Sequence, residues 1–166
     1  MLAYPTEACY GLGCDPRNTA AVRRLLHIKQ RRWQQGLILI ASDLRQLERY
    51  IDTGRIDMSP VLASWPGPVT WVLPAAITTS RWLTGNHDSI AVRITEHPVA
   101  QLLCRIFRGA IVSTSANRSG RAPALSVAQV RRELGARDID CLLEGRLGGL
   151  DKPTRIVDAR SGMVLR

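Results

Sequence analysis

The chain has 166 residues, the size of one ordinary domain, and 45% of them are apolar against 22% charged, which excludes a disordered chain. Collagen, coiled coil, zinc-finger array and small disulfide scaffold are excluded by the same composition, and no apolar run approaches the roughly 20 residues of a membrane span. Lys plus Arg number 23 against 14 Asp plus Glu, a net charge of +9 that favours anionic partners such as nucleotides, nucleic acid or acidic surfaces. Arginine bias accounts for part of that excess, because Lys29 and Lys152 are the two lysines. In such a chain a lysine marks a place that wants a compact, flexible point charge.

In chain order, the start (MLAYPTEACYGLG) has no basic region ahead of a long apolar stretch, so no signal peptide is expected. A strand-sized beginning runs into Pro5, and residues 4–13 are expected to form a glycine-punctuated loop before a helix. That helix is predicted over 18–30, with Asn18 as N-cap and Ala21, Val22, Leu25 and Leu26 on one stripe. Residues 37–41 read as a buried strand, and Asp43 is expected to cap a helix through Ile51. Trp65-Pro-Gly-Pro-Val-Thr70 reads as a rigid bend before a strand over 69–75. Strands follow at 89–95 and 110–115, with a helix at 97–107 between them that tolerates Pro98 in its first turn. Ser126 and Gln129 form a capping box for a helix to Leu134. Residues 139–143, 154–158 and 162–166 are expected to be closing strands. The alternation implies one α/β domain, a sheet layered with helices.

Cys9, Cys14, Cys104 and Cys141 show no C-x-x-C pair and no His at zinc-finger spacing. Cys104 and Cys141 lie in apolar runs and are expected in the core. No structural disulfide is expected, and the chain reads as cytoplasmic. His27, His87 and His97 share no ligand spacing and are expected to pack or face water. The four tryptophans are left as core or rim.

Four segments carry chemistry. Residues 4–13 are either a ligand loop, with Thr6 and Tyr10 supplying hydroxyls, or a plain turn; they are neither a Walker loop nor a dinucleotide fingerprint. Lys29-Gln30-Arg31 ends a helix, where cations oppose the dipole, although Lys29 and Arg31 at alternate positions also suit a polyphosphate. Ser113-Thr-Ser-Ala-Asn117 follows an apolar strand, where open α/β sheets bind ligands, and is equally readable as a polar turn. The Trp65–Thr70 bend reads as architecture. No nucleophile–base pair of the hydrolase kind is present.

Taken together and in order, YPTEACYGLGCD, KQR with GLILIA, WPGPVTWVLPA, SIAVRIT, STSANRSG and KPTRIVDARSG resemble the threonylcarbamoyl-AMP synthase (YrdC-like) family, in its short single-domain bacterial form. The resemblance covers essentially the whole chain. It implies a three-layer α/β fold, a twisted mixed parallel/antiparallel sheet with helices on its faces. It implies an enzyme, a nucleotidyltransferase that makes threonylcarbamoyl-adenylate and diphosphate from L-threonine, bicarbonate and ATP. That product supplies the N6-threonylcarbamoyl group of tRNA adenosine 37. Magnesium would ride on the triphosphate, with no metal site of the protein's own. The family's K-x-R and S-x-N tetrad falls on Lys29, Arg31, Ser115 and Asn117, which implies a catalytic, nucleotide-contacting role for them. Thr6 and Tyr10 match positions near the threonine. Arg93 and Thr154 match further cavity positions, and Ser113 joins the substrate-binding set. The transfer proteins that hand the group to tRNA are implied partners, and tRNA or double-stranded RNA is a further one. An RNA-binding module of the same fold without catalysis is the alternative reading. The chain begins about twenty residues later than the family usually does, so the family's N-terminal helix is not expected in the domain at 1–166. Arg32 stands where the family commonly has Pro, and Pro153-Thr154-Arg155-Ile156 stands for a common P-S-x-I.

Overall fold

A computed structural model describes residues 1–54, 56–135 and 137–166. Among them, eight strands form one mixed sheet in the order β7-β1-β2-β6-β3-β5-β4-β8. The strands are β1 Leu2–Pro5, β2 Tyr10–Cys14, β3 Ile38–Ala41, β4 Val69–Pro74, β5 Ser89–Ile94, β6 Ile111–Ser115, β7 Cys141–Leu142 and β8 Arg155–Asp158. Pairs β1/β7, β3/β5 and β4/β8 are parallel, and β1/β2, β2/β6, β3/β6 and β4/β5 are antiparallel. The helices are α1 Thr19–Lys29, α2 Ser59–Ala63, α3 Arg81–Thr84, α4 Pro98–Phe107 and α5 Val127–Leu134.

The helix starts expected from the sequence hold where a side chain reaches the first-turn amides. Asn18 Oδ1 accepts from Ala21 N at 3.1 Å, and Ser126 Oγ accepts from Gln129 N at 3.3 Å. The reciprocal bond of the capping box is shifted by one residue, since Gln129 Oε1 takes Leu125 N at 2.6 Å.

Four expectations are corrected. Residues 4–13 are not one loop: a four-residue turn, closed by Thr6 N to Cys9 O at 3.0 Å, joins two paired strands. The glycines of β2 serve packing, because the Tyr4 ring lies across them. A Cβ on Gly13 would stand 2.5 Å from the Val112 carbonyl oxygen and 3.1 Å from the Tyr4 ring. Second, Asp43 caps no helix. Only a 3₁₀ turn, Leu44–Gln46, forms there, while Asp43 Oδ1 lies 3.5 Å from Arg45 Nε. Ile51 instead bridges to Ala75 at the end of β4. Third, residues 162–166 form no strand. They run along β8 through one bridge, Val157 to Val164, and through Leu165 N to Ile156 O at 2.8 Å. Fourth, Cys104 is buried as expected, but Cys141 is exposed, because β7 is a two-residue edge strand. All four cysteines are free.

Strand alternation gives the sheet two different faces. Leu12, Leu39, Val92 and Val112 bury one face against Val22, Leu25 and Leu26 of α1. On the other face, α4 covers one end, where Ala100 and Cys104 pack on Tyr4, Ile40 and Ile111. The rest of that face carries small and polar residues and stays open.

Candidate active site

The open half of the second face is the floor of a cavity of about 660 Å³. Register explains its lining. Gly11 faces Ser115 across β2/β6, Ile38 faces both Ser113 and Ala91, and Val72 faces both Ala91 and Asp158. These residues therefore share one face in a row across five pairings, and all of them line the cavity. Their side chains are short, so space remains above the backbone for a ligand.

The charged wall comes from element ends. Lys29 closes α1 and is only 2% exposed. The left-handed Gln30 that follows (φ 52) turns the chain so that Arg31 also reaches the cavity. Lys29 Nζ donates to Ser115 O at 2.5 Å, to Asn117 O at 2.8 Å and to Asn117 Oδ1 at 3.2 Å. Ser115 Oγ donates to the same Asn117 Oδ1 at 2.5 Å. Asn117 is fixed in turn, its Nδ2 donating to the carbonyls of Arg118 and Arg121 at 3.1 and 2.5 Å. The end of α1 and the end of β6 are thus locked together. Arg31 donates from Nε and Nη2 to Gly36 O at 3.2 and 3.1 Å, which leaves Nη1 for an anion.

Burial, and then the neighbouring Arg31, hold the Lys29 ammonium down to about 8. Arg31 is lowered by burial and by Arg166, and Arg166 by burial and by Arg93. These cations depress one another because the wall lacks counter-charge. Lys29, Arg31, Arg93 and Arg166 line the cavity, and Asp158 is the single acid among its described lining residues. Such a site gains electrostatic energy when an anion enters.

The opposite wall is neutralised. Arg93 Nη2 donates to Glu7 Oε2 at 3.1 Å, and Arg93 Nη1 to Thr154 Oγ1 at 2.6 Å. The cavity therefore gathers Thr6, Lys29, Arg31, Arg93, Ser113, Ser115, Asn117 and Thr154 of the residues expected from the sequence. Tyr10 is placed elsewhere. It is 3% exposed, is not among the lining residues, and donates its hydroxyl to Gly145 O at 3.0 Å. Thr6 Oγ1 also has a local partner, Cys9 O, at 2.7 Å. Arg166, Asp158 and Glu7 were not found from the sequence. Arg166 stands far along the chain from the tetrad, and Glu7 is buried against Arg93 and Thr95, which are distant in sequence, so neither carries a local signal. His87 lines the rim, His27 is exposed, and His97 is buried with Nε2 3.1 Å from Arg146 O.

A family model described as Sua5/YciO/YrdC, telomere recombination, matches residues 1–166. A threonylcarbamoyl-AMP synthase of Halorhodospira halophila is 59% identical over 167 residues, covering 100% of this chain and 87% of that protein. One of Methylococcus capsulatus is 53% identical, covering 100% of this chain and 89% of that protein. Among solved structures, P. abyssi Sua5 complexed with L-threonine superposes with a TM-score of 0.90 at 30% identity, over 99% of this chain and 49% of that one. E. coli YciO superposes with a TM-score of 0.82 at 26% identity, over 99% of this chain and 81% of that one. With this match along its whole length, the sheet order above and a basic cavity formed where α1 and β6 end, the chain belongs to the Sua5/YciO/YrdC family.

Proposed function

We propose that the chain is a threonylcarbamoyl-AMP synthase, making threonylcarbamoyl-adenylate and diphosphate from L-threonine, bicarbonate and ATP. The observation that carries this reading is the convergence of Lys29, Arg31, Arg93 and Arg166 on one cavity, with Arg166 joined to the Arg93–Thr154 pair through Thr154 O at 3.3 Å. The relatives named as synthases favour it over a non-catalytic RNA-binding module.

In this reading the unpaired cations take the triphosphate. Lys29 and Arg31 supply charge-assisted donors, and Ser113, Ser115 and Asn117 orient phosphoryl oxygens. Arg93 has donors to spare and takes the carboxylate of threonine, beside Thr6 and Thr154. The threonine amine attacks bicarbonate with loss of water, or carbon dioxide with loss of a proton, and becomes an N-carboxylate. A carboxylate oxygen of that group attacks the α-phosphorus, the bond to the β-phosphate oxygen breaks, and diphosphate leaves with the electron pair. Negative charge grows on the phosphoryl and leaving-group oxygens, so catalysis is positioning and electrostatics. Magnesium would be carried by the triphosphate. Asp158 Oδ1 already accepts from Arg160 N and Ser161 N, so its Oδ2 would be the cavity carboxylate oxygen to share it, and no described cluster of three His, Cys, Asp or Glu residues offers a separate metal site. Among the described residues no helix is long and apolar enough to cross a membrane. We place the enzyme in the cytoplasm, handing its adenylate to the proteins that modify tRNA.

The test is diphosphate release by the purified chain with ATP, magnesium, bicarbonate and L-threonine, each omitted in turn. Release that requires both threonine and bicarbonate is expected; release indifferent to threonine contradicts the reading.

The pH dependence has a definite sign. An anion binds the charged form of Lys29, whose value in the free protein is about 8. ATP affinity is therefore expected to be flat below pH 8 and to fall above it, by about tenfold between pH 7 and pH 9. Calorimetric titration at the two pH values checks this, and equal affinities would show that Lys29 is not a ligand.

A further inference from the structure

Resting on the synthase reading, we propose that Glu7 is a positioning residue that neutralises and aims Arg93, so that this end of the cavity selects an amino acid of no net charge over a phosphate. Glu7 is 3% exposed and does not itself line the cavity. Its Oε2 accepts from Arg93 Nη2 at 3.1 Å, and its Oε1 accepts from the fully buried Thr95 Oγ1 at 2.6 Å. Both carboxylate oxygens are thus engaged, and the group has no freedom to swing. Its backbone is held as well: Leu150 N donates to Glu7 O, and Gly148 N to Thr6 O, both at 3.0 Å. The segment that ends in Thr154 is therefore strapped over Glu7, and Thr154 receives the other arm of Arg93.

The result is two electrostatic regimes in one cavity. Among the described residues, Lys29 and Arg31 have no carboxylate in ion-pair contact; neither has Arg166, but it stands beside Arg93, its Nη2 donating to Thr154 O at 3.3 Å. Arg93 is the cavity cation that has one. A guanidinium whose charge is matched keeps its hydrogen-bonding geometry but loses its pull on a polyanion. Glu7 and Thr154 each take one N–H of the guanidinium, so the second N–H groups of Nη1 and Nη2 remain for a substrate carboxylate. Without Glu7, the same Arg93 would be a fourth free cation and would draw phosphate into the amino-acid end.

The test is Glu7→Gln, read by two ligands. The KM for threonine is expected to rise roughly tenfold or more, the effect of losing a charge-assisted contact. Inorganic diphosphate, titrated into the protein without other substrates, is expected to bind about three- to tenfold more tightly. A merely structural role moves both in the same direction, so parallel weakening, or no change in a folded variant, overturns the proposal. If Glu7→Gln does not fold, Thr95→Val keeps the charge and frees one carboxylate oxygen. It is expected to raise the threonine KM several-fold and to leave diphosphate binding unchanged, and an unaltered KM overturns the proposal. Failure of the synthase reading is visible separately, as absence of threonine-dependent diphosphate release in the wild-type chain.

Discussion

Lys29→Ala is expected to lower turnover by roughly 10²-fold or more, on the scale of a lost oxyanion donor. The ammonium is the most enclosed cation of the phosphate wall, and it joins the end of α1 to the Ser115–Asn117 turn. Its removal takes away a charge where negative charge develops. It also leaves the carbonyls of Ser115 and Asn117 without their lysine donor. Lys29→Met controls for lost volume, because it keeps most of the bulk and lacks both the charge and the donors. Both variants are expected to fold with unchanged far-ultraviolet circular dichroism, since desolvating the ammonium is itself costly and that cost disappears. Steady-state diphosphate release is the measurement, and wild-type-like turnover in either variant refutes the role given to Lys29. Lys29→Arg is expected to fail as well, because a planar guanidinium cannot place three donors on three carbonyl-type oxygens around one point.

Gly85→Ala is expected to cause a large loss of stability, about 3 kcal/mol or more. Gly85 sits at φ 69, ψ −135, a region that side-chain-bearing residues avoid. A Cβ there would also stand 2.3 Å from Gln34 O and 2.6 Å from Gly36 N, both backbone atoms that cannot rotate away. The surroundings are already tied: Leu37 N donates to Leu83 O at 2.8 Å and Asn86 N to Gln34 O at 3.1 Å. For a chain of this length the loss corresponds to a fall in Tm of roughly 6–12 °C. The function suffers with the fold, because the Gly36 carbonyl next door fixes the Arg31 guanidinium. Thermal unfolding together with an ATP titration reads both; a Tm within two degrees or so of wild type contradicts the account.

Elements with a local cause were legible in the sequence. α1, α4 and α5 combine an apolar stripe with a cap or an N-terminal proline, and they appear where the residues put them. β2 was not legible, since glycines at alternate positions normally argue for a loop. Here their purpose is to admit the Tyr4 ring, which only the paired structure reveals. α2 and α3 span five and four residues, too short for periodicity to register. The site divides in the same way. Lys29-Gln-Arg31 alone was consistent with a helix end opposing its dipole. Its meaning depends on Asn117, brought beside it by the pairing of β2 with β6. Tyr10 had the right residue type but points into a strap, and Glu7 sat inside a quoted motif without any sign that it would be buried beneath Arg93.

The borders of the sheet bear on how a partner can dock. On one side, β7 is only two residues long; on the other, residues 162–166 already occupy the outer hydrogen-bonding edge of β8, with Asp158 N on Met163 O and Ile156 N on Arg166 O, both at 2.9 Å. Neither border presents a run of free amides and carbonyls on which a foreign strand could grow. Strand addition is a common way to recruit a partner cheaply, and this architecture forgoes it. A partner that docks on this domain would therefore have to use side-chain surface and not sheet extension.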